Sequence, residues 1–134
     1  MSWHRNIVIK TADEAAIMRA AGRINAEALQ TVQRMIRPGI TTAALDAAAE
    51  NVIRGHGGIP AFKDYPGPYP YPATLTVSIN DELVHGIPGQ RVIQPGDVVS
   101  VDCGTIYKGF VADSAFSMVV DPASEIALRL LEVT

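Results

Sequence analysis

The sequence predicts an α+β domain, with helices first, antiparallel strands next and a further helix last. Three observations carry this reading. Apolar residues recur at helical spacing over 17–35 and again over 45–53. Strand-type runs follow, and two of them are joined by the two-residue loop Lys108-Gly109. A third helix opens behind Ser124. Helices that are segregated from strands, rather than alternating with them, favour α+β over a parallel α/β sheet. The 134 residues suffice for one domain with a core, and no repeat or linker divides residues 1–134.

In chain order, Ile7–Ile9 is a short strand or extended lead-in. Thr11 and Glu14 have capping-box spacing, so Thr11 caps a helix and Glu14 returns the hydrogen bond. Ile17, Ala21, Ile24, Ala28, Val32 and Met35 form its apolar face, and Arg37-Pro38-Gly39 ends it. A second helix runs from about Thr42 to Arg54, with Leu45, Ala48, Ala49, Val52 and Ile53 inward, and stops at Gly55-His56-Gly57-Gly58. His56 in that exit reads as a solvent-facing residue near a helix C-terminus rather than a ligand. Residues 59–72 are proline-rich and carry Phe62, Tyr65, Tyr69 and Tyr71, which predicts a stiff, ordered loop. Tyrosines there either line a pocket, ring packed and hydroxyl wet, or simply cover the core. Ala73–Ile79 alternates as a strand, and Leu83-Val84 reads as a second short one. His85 stands immediately before a Gly/Pro turn, a place that can present an imidazole into a cleft or be an ordinary loop position.

Pro95-Gly96-Asp97 then turns the chain into Val98–Tyr107 and Phe110–Val120, the arms of a hairpin. A two-residue loop sets the register: Tyr107 faces Phe110, Ile106 faces Val111, and Gly104 faces Asp113. Alternation puts Asp102 on the face of Gly104. Asp102 and Asp113 are therefore diagonal neighbours, roughly 7–8 Å apart at the backbone. The small residues Ser100, Gly104, Ala115 and Ser117 share their face, while Val99, Val101, Cys103, Phe110, Phe116 and Met118 share the other. Close carboxylates repel, and a shared proton, a basic partner or a divalent cation resolves this. A hairpin with both acids simply facing water is the plainer alternative.

Composition narrows the class. The chain is 48% hydrophobic and 19% charged with net charge −3, which gives no electrostatic reason to expect nucleic acid or an anionic membrane as partner. The single cysteine, Cys103, excludes an internal disulfide and fits a reducing compartment. No apolar run reaches a membrane span, and the start MSWHRNIVIK lacks a secretory core. The expectation is a soluble, cytoplasmic protein.

Several stretches together resemble the first half of a type I methionine aminopeptidase, a metallopeptidase of the pita-bread fold. They are Ile9–Thr11 with Met18–Arg23, Arg37–Thr41, Ser78–Pro88, Gly96–Asp102 and Gly109–Ala115. Taken singly they are weak. The Asn80-Asp81-Glu82-Leu83-Val84-His85-Gly86-Ile87-Pro88 block followed by Asp102 and Asp113 is specific. The resemblance covers about residues 7–134 and implies an antiparallel sheet with helices packed on one face.

It further implies removal of the initiator methionine from peptides or nascent chains, the ribosome being a possible partner, with two divalent ions (Co, Mn, Fe or Zn) as cofactors. Asp102 corresponds to a bidentate ligand of one ion, Asp113 to a carboxylate bridging both, and His85 to a histidine that hydrogen-bonds substrate. Phe62, Tyr65 and Tyr71 correspond to the wall of the methionine pocket, although Asp64 replaces a glycine there and the loop is longer than the family's. The family's remaining ligands, a histidine and two glutamates, lie in a second half not matched here. The chain is thus expected to be a truncated or split form, inactive alone, whose exposed face is covered by a missing half-domain or by self-association. Two rivals stand beside this reading: a binding module of the same fold without catalysis, and an Xaa-Pro peptidase.

Overall fold

A computed structural model describes residues 8–134. Ile7 lies outside the described residues, and Val8–Lys10 belong to no strand. Helix α1 spans Ala12–Met35, with both halves of the Thr11/Glu14 capping box formed. Helix α2 spans Thr42–Gly55 behind the cap Thr41. The strands are β1 (Ile59–Pro60), β2 (Leu75–Ile79), β3 (Val98–Tyr107) and β4 (Phe110–Val119). Helix α3 (Glu125–Val133) closes the order, capped by Ser124 as its spacing predicts.

The sheet is antiparallel and built around β3. On one side β3 pairs along its whole length with β4; on the other it pairs with β2 through Val99–Cys103 and with β1 through Thr105 and Ile106. The hairpin has the predicted register, with Tyr107 opposite Phe110 and Gly104 opposite Asp113. Lys108 and Gly109 both have positive φ, 48° and 83°, as a turn matched to strand twist requires.

Helices α1 and α2 cover one face of the sheet. Ile24, Ala28, Leu29 and Val32 of α1 meet Leu45, Ala49 and Ile53 of α2 over Leu75, Val77, Ile79, Val99, Val101 and Cys103. Leu45, Ile53 and Leu75 are wholly buried, each contributing about 1.5–3 kcal/mol by removal from water. The predicted inward positions Ala48, Val52 and Ile17 are only half-buried, at the margins of this contact. Burial also lifts the Cys103 thiol to about 12, so it serves as a small apolar core residue. His56 is exposed as predicted and pairs with Glu27 at 3.0 Å, joining α2 to α1.

Two strand expectations change. Ile59–Pro60 forms a short edge strand where only a loop was predicted; an edge position suits proline, which has no N–H to leave unpaired. Leu83-Val84 forms no strand, and its side chains are 85% and 69% exposed. Side chains satisfy the backbone here instead of a ladder. Glu82 accepts from Ile79 N, the Ser78 hydroxyl donates to Leu83 O, and Asn80 turns the chain at φ 59° while its side chain bridges Asp97 and Val98 N.

Strand β2 starts at Leu75 because Asp46 of α2 accepts the N–H groups of Thr74 and Leu75 at 2.9 and 2.8 Å. Burial raises the Asp46 pKa, partly offset by those two hydrogen bonds. A raised folded-state pKa means the wild type loses stability as pH climbs through the carboxylate range. Asp46→Asn keeps the acceptor oxygen and does not titrate. The stability difference is therefore expected to move in the variant's favour as pH rises above about 4, the ordinary aspartate value, as thermal melts of the two proteins at acidic and neutral pH will show.

Candidate active site

The face of the sheet away from the helices carries a cleft of about 380 Å³, lined by Phe62, Tyr65, Tyr71, Thr76, His85, Asp102 and Asp113. All six residues singled out from the sequence thus border one space. Thr76 was not anticipated. It lies directly opposite Asp102 across β2 and β3, and the alternation that turns Leu75 and Val77 inward was the signal for it.

The two carboxylates reach the cleft through hairpin register alone. Cys103, between Asp102 and Gly104, is fully buried on the helix side. The Asp102 and Asp113 side chains border the same cleft as diagonal neighbours across the hairpin. Burial first, then the charge of Asp113 and the contact with its carboxyl, raise the Asp102 pKa; the Cys103 N–H and His85 act in the opposite direction. Asp102 Oδ1 is buried with no hydrogen-bond partner.

Gly104 admits the aromatic wall. A Cβ at this position would stand 2.6 Å from Phe62 Cε1 and 2.9 Å from Ala61 Cβ, so the Phe62 ring lies over the strand beside Asp102 and Asp113. The small-residue face thus seats a ring and is not left open. Gly104→Ala is expected to force that ring aside and cost about 1–3 kcal/mol, readable by urea denaturation.

His85 is held in left-handed backbone, φ 75°, by the residue after it. Gly86 N donates to Ser78 Oγ at 3.2 Å, Gly86 O accepts from Val77 N at 2.9 Å, and a Cβ at Gly86 would stand 2.3 Å from Val77 O. Only glycine can press this close to β2, and the imidazole is carried to the cleft as a consequence. Tyr71 differs from the wet-hydroxyl expectation. Its hydroxyl donates to Leu75 O at 2.9 Å and lies 3.1 Å from Gly86 O, and burial with nearby carboxylates lifts its pKa to about 12. Tyr71 therefore ties the proline-rich loop to the bend that holds His85 and presents only its ring. Tyr65 lines the cleft from its rim, 68% exposed.

The donor set fits a divalent cation in part. Two converging carboxylates with an unsatisfied buried oxygen are what a hard cation would complete. Among the described residues no group of three His, Cys, Asp or Glu side chains is arranged to hold a metal ion. His85 accordingly stands beside the acids without joining them as a third ligand.

An antiparallel sheet with helices on one face and paired acids on the other agrees with the pita-bread metallopeptidase class that the sequence resembles. The fold matches methionine aminopeptidase from Thermotoga maritima with a TM-score of 0.90 at 37% identity, over 96% of this chain and 51% of that one. It also matches the Pyrococcus furiosus prolidase at a TM-score of 0.80 and 24% identity, a likeness of fold alone. Residues 16–134 match metallopeptidase family M24, and the chain belongs to that family. Among similar sequences, methionine aminopeptidase from Clostridium acetobutylicum is 43% identical over 129 residues and methionine aminopeptidase 1 from Bacillus subtilis 45% identical over 128. The chain spans about half the length of these curated relatives. Among the described residues, no helix is long and apolar enough to cross a membrane.

Proposed function

We propose that these residues carry one side of the active site of an aminopeptidase that removes the initiator methionine from peptides and nascent chains. The observation that carries this is the Asp102–Asp113 pair, with its unpartnered buried oxygen, facing a histidine and an aromatic wall in one cleft.

Asp102 and Asp113 would be the residues here that hold divalent cations, whether Co, Mn, Fe or Zn. When bound, such ions supply Lewis acidity and activate water for attack on the first peptide bond. His85 stands beside the acids and donates a hydrogen bond to substrate near the scissile bond, where charge develops. Phe62, Tyr65, Tyr71 and Thr76 wall a largely apolar space suited to a flexible thioether side chain, whose sulfur contacts aromatic rings favourably. The substrate's N-terminal amine docks against the carboxylate side of the cleft, which restricts cleavage to chain ends. Newly made chains at the ribosome, in the cytoplasm, are the natural source of such ends.

The test is a fusion of residues 1–134 to the C-terminal half of the Clostridium acetobutylicum relative, assayed for methionine release from a Met-Gly peptide with cobalt or manganese. Release dependent on added metal supports the reading. A folded, metal-loaded fusion that cleaves only Xaa-Pro peptides favours the prolidase-type rival, and one that cleaves neither favours a binding module.

A further inference from the structure

A buried amide sits behind the two acids. Asn25 on α1 is 1% exposed in a helix face otherwise made of Ala21, Ile24, Ala28, Leu29 and Val32. Its Nδ2 donates to Ser114 Oγ at 2.8 Å, and its Oδ1 accepts from Thr105 Oγ1 at 2.9 Å. Ser114 follows Asp113 on β4. Thr105 follows Gly104 on β3, and Gly104 is the residue opposite Asp113. The amide therefore bridges the two strands on the helix side, immediately behind the point where the carboxylates meet on the cleft side.

We propose that Asn25 is a positioning residue that sets the separation of Asp102 and Asp113 and so the affinity of the pair for a divalent cation, an inference that rests on the metal reading above. The mechanics follow from the sheet. Among the described residues β4 pairs with no strand except β3. Two like charges on the cleft face push these strands apart. Backbone hydrogen bonds and the amide clamp resist that push from within and behind the sheet. The asparagine amide offers an acceptor to the buried Thr105 hydroxyl and a donor to Ser114 at once, which gives a buried polar side chain on an apolar face its partners.

The test is Mn²⁺ binding to the untagged 134-residue chain, followed by water-proton relaxation, with a thermal melt of each variant. Asn25→Ala and Ser114→Ala are expected to weaken Mn²⁺ binding about tenfold, the scale seen when supporting contacts of metal ligands are removed. Ser114 is exposed, so its variant remains a fair test if Asn25→Ala does not fold. Ile24→Ala, on the same helix, is expected to lower the melting temperature and leave Mn²⁺ affinity unchanged. The proposal is overturned if both clamp variants bind Mn²⁺ as the wild type does, or if Ile24→Ala loses as much affinity as they do. An Asp113→Asn control separates the two levels. If it loses the ion while the clamp variants keep it, only the clamp fails; if the wild type binds no better than Asp113→Asn, the metal reading fails and the clamp with it.

Discussion

Asp113→Ala in the fused protein is expected to abolish methionine release and to strip the metal, whereas His85→Ala lowers turnover about 10²–10³-fold and leaves metal content nearly intact. The two side chains border the same cleft but differ in what they offer it. Asp113 borders the cleft with Asp102, whose Oδ1 is buried and unpartnered, and its removal takes away one of the two carboxylates that would hold a cation. His85 stands at a strained bend beside the acids and belongs to no three-membered ligand cluster among the described residues. Its loss should remove a hydrogen bond that matters mainly as charge develops in the transition state. Elemental analysis and steady-state rates on both variants decide this. Equal metal loss in the two would contradict the division of roles, and unchanged turnover in His85→Ala would remove His85 from the chemistry.

The 134-residue chain assayed by itself is expected to release no measurable methionine, to hold Mn²⁺ or Co²⁺ weakly, and to self-associate. Two carboxylates leave most of a cation's coordination to water. Self-association follows from the exposed surfaces. Strand β4 pairs only with β3 among the described residues, so its other edge presents unpaired N–H and C=O groups. Beside it, α3 buries no residue, and Ile126, Leu128, Leu130 and Val133 are 53–83% exposed. An apolar helix face next to an open strand edge favours association. The assay pairs a Met-Gly peptide and added metal with light scattering. Robust turnover by a monomer would show that these residues complete a site by themselves, and the two-ligand account would be wrong.

Most of the element order was legible because it depends on local chemistry. The Thr11/Glu14 capping box, the Ser124 cap and the two-residue turn at Lys108-Gly109 each act within a few residues, and each forms as its spacing predicts. Leu83-Val84 misled for the opposite reason. Two β-compatible residues were outweighed by the hydrogen bonds of Ser78, Asn80 and Glu82.

The sequence by itself determined that Asp102 and Asp113 share a face, because a two-residue loop and a side-chain period of two leave one register. Tertiary structure alone decided what surrounds them. The Phe62 ring lies over Gly104, the Tyr71 hydroxyl is spent on Leu75 O and Gly86 O, and Asn25 ties Thr105 to Ser114 from behind. These contacts join segments far apart in the chain through aperiodic loops and one buried amide. No local spacing encodes such meetings, since they exist only once the helices and the proline-rich loop have packed on the two faces of the sheet.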